Sequence, residues 1–139
     1  SGAALFGFAR VLLIQSHAAA PDISTYAEDP PGFPTSMIAE GAVAGAPVAG
    51  GACAVQALPS QTAPGVAGYA LQAAGFDIRD LGVGRALGTR TGVWFGTTWD
   101  AVIRIRPGRT DIRVAAREPD QDRGEACRLA IRIAEALKP

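Results

Sequence analysis

A chain of 139 residues with 48% apolar content is long enough for one hydrophobic core and too short for two comfortable domains. Its 13 Lys and Arg balance 13 Asp and Glu, which argues against a binder of nucleic-acid backbone, because that affinity draws on a surplus of basic side chains. The balance is uneven along the chain: up to residue 75 the single base Arg10 stands against Asp22, Glu28, Asp29 and Glu40, and every other base lies beyond, nearly all of them Arg.

Residues 1–18 open with an apolar segment containing Leu5, Phe6, Phe8, Leu12 and Leu13 and interrupted by Arg10. It falls short of the roughly 20 residues that span a bilayer. We read it as a helix that touches membrane or a partner, with packing on its own domain as the alternative; Ser1-Gly2 leaves room for a preceding anchor. Residues 19–50 carry Pro21, Pro30, Pro31, Pro34 and Pro47 among many Gly and Ala. Proline at that density removes backbone donors and forbids a regular helix, which predicts an extended arm wrapping the surface.

The compact domain is expected over residues 51–139. Ala52 to Leu58 reads as a first strand ended by Pro59. Ser60 or Thr62 can cap a helix with Pro64 in its first turn that stops at Gly75. Phe76 to Leu81 alternates as a strand, and Arg85 to Phe95 continues as a second one broken by glycine. From Trp99 to Arg117 the pattern is a hairpin about Pro107-Gly108. Trp99, Ala101, Ile103 and Ile105 face one way and Asp100, Val102, Arg104 and Arg106 the other. With Arg106 opposite Arg109, Arg104 falls opposite Asp111 and Val102 opposite Arg113, while Ile112, Val114 and Ala116 join the apolar side, so one register satisfies both faces. Asp122 and Glu125 have capping-box spacing, and Cys127, Ala130, Ile131, Ala134 and Leu137 form the apolar stripe of a closing helix.

The expected fold is α+β: an antiparallel sheet of about five strands, in the order β-α-β-β-β-β-α, with two helices on one face. The other face would carry Arg79, Arg104, Arg106, Arg113 and Arg117. Arg has a planar fork suited to carboxylate and phosphate, so this face is a candidate anion or partner surface; Arg and Asp paired across a solvated sheet is the plainer reading.

Asp22-Ile23-Ser24-Thr25 followed by Glu28-Asp29-Pro30-Pro31-Gly32-Phe33 resembles the "DIST…DPPxF" opening of a bacterial family, domain of unknown function 1499 (DUF1499). Trp99 to Pro107 and Asp111 to Val114 are similar to that family's "DVVVRVRP…VDVRS" hairpin, and Asp122-x-Gly124 to its "SDLGxNxxRI" turn. The likeness covers about residues 20–138. It departs where the family's Asn falls on Ala126, its Arg-Ser on Asp120-Gln121, and the His often preceding "DIST" on Pro21. The resemblance implies a bacterial envelope setting, on the periplasmic side or at the membrane, and brings no activity with it.

Catalytic signals are sparse. The single His, His17, sits in the N-terminal segment, so a hydrolytic triad lacks its usual base. Cys53 and Cys127 fit no metal spacing and could pair as a disulfide or stay as buried thiols. Gly82-Val83-Gly84 lacks the Lys of a phosphate loop and reads as a turn. Asp120, Asp122 and Glu125 could do acid–base work if their environments separated their pKa values, but helix capping accounts for Asp122 and Glu125. Trp94, Phe95 and Trp99 could line a contact, or pack in core and turn. The expectation is a non-catalytic accessory domain without cofactor or metal, docked on a membrane protein or complex. A binder of an anionic or amphipathic small molecule is the alternative, and an enzyme built on the carboxylate cluster comes third.

Overall fold

The computed structural model describes residues 20–45, 47, 53–92 and 96–139. In chain order the elements are β1 (Asp22–Ser24), α1 (Thr35–Glu40), α2 (Pro64–Ala73), β2 (Asp77–Leu81), β3 (Arg85–Thr91), β4 (Thr98–Arg106), β5 (Arg109–Ala116), a 3-10 turn (Pro119–Gln121) and α3 (Glu125–Leu137). The strands form one antiparallel sheet in the order β1-β5-β4-β3-β2. The chain is therefore an α+β domain, with three α-helices on a five-stranded sheet.

The β4–β5 hairpin takes the register that its alternation predicts, with Arg106 opposite Arg109, Arg104 opposite Asp111 and Val102 opposite Arg113. Gly108 turns the chain at φ 74°, a conformation that glycine enters without a Cβ penalty. The apolar side of the hairpin is covered by α2 and α3. Leu71 of α2 and Leu129 and Ile133 of α3 are fully buried together with Ala101, Ile103, Ile112 and Val114 of the sheet. Burying each large aliphatic side chain contributes roughly 1.5–3 kcal/mol.

Helix boundaries follow local chemistry. Pro64 opens α2, where its missing N–H is no loss, and Gly75 at φ 83° ends it. Neither Ser60 nor Thr62 caps that helix; Thr62 instead bonds Thr110, its hydroxyl 2.7 Å from the Thr110 hydroxyl, inside the core. In α3 the stripe turns slightly from the expected one, so that Ile133 enters the core and Ile131 is half-buried at its margin.

The first strand is not where the alternation placed it. Residues 53–57 form no strand, and Leu58 alone bridges Thr110. The place beside β5 is held by β1, with Asp22, Ile23 and Ser24 opposite Ala115, Val114 and Arg113. A disulfide joins Cys53 to Cys127 at the head of α3, and residues 54–57 follow beside that helix, near Ile131 and Ala134.

Residues 20–45, expected as an extended arm without regular helix, include the short helix α1, which fits between Pro34 and Gly41, and they contribute interior. Ile23 joins the main core beneath the helices. Phe33, Met37 and Ala42 close over Leu87, Val102 and Ala115 on the opposite side of the sheet, where α1 makes a second, smaller core. Among the described residues no helix is long and apolar enough to cross a membrane. Leu5, Phe6, Phe8, Leu12 and Leu13, His17, Trp94 and Phe95 lie outside the described residues.

Candidate functional site

The sheet surface turned away from α2 and α3 holds all five arginines singled out in the sequence, and it divides into three clusters. In the middle, Arg113 is 2% exposed. Its Nε and NH2 donate to the two carboxylate oxygens of Asp22 at 3.0 and 2.8 Å, and NH1 and NH2 donate to the Pro31 and Gly45 carbonyls. Its guanidinium also lies 5.1 Å from the Phe33 ring centre. Arg113 was expected on a solvated face; the arm covers it because Leu87, Val102 and Ala115 make that face apolar at its centre.

Toward the end of the sheet where β5 finishes, Arg117 donates through Nε and NH2 to both oxygens of the buried Asp100, at 2.8 and 2.9 Å. Arg117 also donates to the Glu40 carbonyl, and Arg79 donates to the Glu40 carboxylate, with NH1 at 2.7 Å from Oε1. The hydrogen bond from Arg79, helped by the charges of Arg79 and Arg117, pulls the Glu40 carboxyl down to about 2. Glu40 thereby clips the end of α1 to the sheet.

At the hairpin end, Arg104, Arg106 and Arg109 converge on Asp111, which is fully buried. Arg109 Nε donates to Asp111 Oδ2 at 2.9 Å and the Thr25 hydroxyl donates to Oδ1 at 2.8 Å. Burial alone would raise the Asp111 carboxyl; the hydrogen bonds from Arg109 and Thr25 and the charges of Arg109 and Arg104 outweigh it and hold the carboxyl below the usual aspartate range. The ring of Tyr26 stacks among the same three arginines, with its centre 4.3 Å from the Arg109 guanidinium carbon.

The remaining sequence candidates have structural places. Trp99, considered as a surface contact, is 7% exposed because it faces the helices, and its indole N–H donates to Asp122 at 2.8 Å. Asp122 also accepts from the Gly124 and Ala126 backbone N–H groups and so caps α3. Glu125 bonds Arg128 and Asp120 is exposed, so the three acids form no carboxylate pair. Gly82 and Gly84 make the β2–β3 turn, with the Gly82 N–H bonded to the Arg85 carbonyl. Among the described residues, no group of His, Cys, Asp or Glu could hold a metal ion. An open groove of about 410 Å³ runs between residues 54–60 and the end of α3, past Val55, Leu58, Ile131 and Lys138.

Sequence reasoning missed Asp22, Asp100, Tyr26 and Arg109 as members of these clusters. Arg109 was legible, since positions two apart on a strand share a face and Arg109 stands two before Asp111. Tyr26 carried no such signal. The two separated motifs behind the DUF1499 likeness meet in space: Asp22 bonds Arg113, and the Thr25 hydroxyl bonds both the Asp111 carboxylate and the Ile112 N–H. Comparison of the chain with protein-family models, with curated proteins and with solved structures finds no match.

Proposed function

We propose that this chain is a non-catalytic accessory domain of the bacterial cell envelope that docks on a membrane protein or complex. The observation that carries the reading is an apolar strip along α2 and the end of β2. Val66, Tyr69, Leu81 and Val83 are all exposed there, Tyr69 by 63% and Val83 by 77%. Leu81 lies against Gly68, so helix and strand end make one surface, and β2 is one of the two edge strands of the sheet formed by the described residues. Large apolar side chains gathered on a surface beside an unpaired strand edge are what a partner covers.

Other features support the setting. The Cys53–Cys127 disulfide suits an oxidising compartment, and the DUF1499 likeness implies the envelope. The buried carboxylates Asp22, Asp100, Asp111 and Asp122 are each engaged by arginine, by tryptophan or by backbone donors, which favours structural roles over acid–base work. The apolar segment 1–18 offers a second contact with membrane or partner.

The test is co-purification from native membranes of the original chain and of the double variant Tyr69→Lys, Val83→Lys. Both positions are exposed, so the variant is expected to fold. The original chain should sediment with a complex, and the variant should be released from it. Equal retention of the two chains would refute the docking strip.

A further inference from the structure

The three arginine clusters differ in their charge balance. Arg113 has Asp22, and Arg79 and Arg117 share Glu40 and Asp100. At the hairpin end, three guanidiniums share the single buried charge of Asp111. Asp111 Oδ2 takes Arg104, Arg106 and Arg109 at 3.5, 3.3 and 2.9 Å, and Oδ1 takes the Thr25 hydroxyl and Arg109. A carboxylate offers about four acceptor positions. Those of Asp111 are therefore filled, while each guanidinium still has N–H groups to place.

The spare donors point to a missing acceptor. Among the described residues Arg104 Nε is buried without a hydrogen-bond partner and NH2 donates to the Asp29 carbonyl at 2.9 Å as well as to Asp111, so NH1 is the Arg104 donor open to an outside anion. Arg106 engages Asp111 through NH2 alone and remains 42% exposed. Arg85 stands directly opposite Arg104 in the β3–β4 ladder, exposed, and Arg106 stands opposite Arg109 in the β4–β5 ladder. Like charges directly opposite one another on a sheet face are destabilising; Asp111 offsets this for Arg104, Arg106 and Arg109, while Arg85 makes no ion pair among the described residues. The Tyr26 ring, within 5.7 Å of three of the guanidiniums, holds them in place before anything binds. The opposing acids at the rim are exposed: Asp29, with 71% of its side chain in solvent, lies 3.9 Å from Arg104, and Glu28 acts on Arg109 from a distance. A more highly charged anion can displace both.

We propose that this end of the sheet binds a phosphate group, with Arg104, Arg106 and Arg109 as its donors and Arg85 at its rim. Once the exposed Asp29 is displaced from Arg104, three guanidiniums less the Asp111 carboxylate leave a surplus that a phosphate dianion matches and a monocarboxylate only half fills. Guanidinium forks also suit phosphate oxygens in geometry. The site lies on the opposite side of the sheet from α2 and does not depend on the docking strip, which a separate pair of substitutions tests.

The experiment follows the arginine Nε–Hε resonances during titration with inorganic phosphate. In parallel, flotation is measured with phosphatidic acid vesicles and with phosphatidylcholine vesicles. Phosphate should shift the resonances of Arg104, Arg106 and Arg109. The double variant Arg85→Gln, Arg106→Gln, which removes exposed side chains holding at most one hydrogen bond, should keep its melting temperature and bind about tenfold or more weakly. Arg128→Gln, on the far side of the domain, should bind as before. Flotation with phosphatidic acid alone supports the site and assigns the phosphate to a lipid headgroup; binding of inorganic phosphate without flotation supports it and assigns a soluble phosphorylated ligand. Absence of binding in every arm, or equal binding by the double variant and the original chain, would overturn the proposal.

Discussion

The buried ion pair between Arg113 and Asp22 allows a demanding test of how the arm is held. Asp22→Ala leaves the guanidinium with the Pro31 and Gly45 carbonyls, each at 2.8 Å, and with no counter-charge. Breaking a buried pair from one side costs about 3–5 kcal/mol. The two remaining carbonyls, and the 11% exposure of the Asp22 side chain, place the expected loss near the lower bound, about 3 kcal/mol. That is a large share of the roughly 5–15 kcal/mol that holds a domain of this kind together. In a urea titration followed by tryptophan fluorescence, with the disulfide intact, the midpoint should fall by about 1–3 M. The double variant Asp22→Leu, Arg113→Met removes both charges and keeps the volume apolar, so it should recover most of the loss. A shift of less than about 1 kcal/mol for Asp22→Ala, or a double variant as unstable as the single one, would refute this account.

Two further outcomes are expected. Replacing Cys53 and Cys127 together by Ala opens a loop of 74 residues and should cost about 4 kcal/mol in the loop-entropy model, read as the difference in urea-unfolding free energy between the variant and the original chain with its disulfide intact. Because the folded Asp111 carboxyl is held below its usual range, its stabilisation is complete above that range and is lost as pH falls through the folded value; melting temperatures taken from pH 6 down to 2 should drop in the original chain and stay flatter in Asp111→Asn.

How much of this could be read from the sequence depended on whether a residue's partner lay nearby. The β4–β5 register was legible because each limb alternates and the turn fixes the pairing, so Arg104 could be set opposite Asp111 from spacing alone. β1 was not legible. Three residues between Pro21 and the Tyr26 turn carry no measurable period, and their partner lies some ninety positions away. Residues 52–58 have the better strand pattern, yet among the described ones Leu58 alone pairs with β5, at Thr110, and the place farther along β5 is held by β1. The cover over Arg113 left a trace in the sequence, since Val102 and Ala115 are apolar on a hairpin face lined mainly with Asp and Arg. An apolar residue in the middle of a charged face asks for something to lie on it, and Phe33 and Met37 answer from the arm. The Glu40 clip had no such trace, because α1 is six residues long, between Pro34 and Gly41.

The pairing of β1 with β5 has a consequence for how the chain comes to be folded. Asp22 is among the first described residues to be synthesised, and the residues it bonds follow some ninety positions later. Contacts so distant in sequence make for slow closure. A nascent chain that has emerged only as far as β4 has no surface on which Ile23 or Asp22 can settle. The segment carrying β1 therefore settles on the domain only once β5 is available.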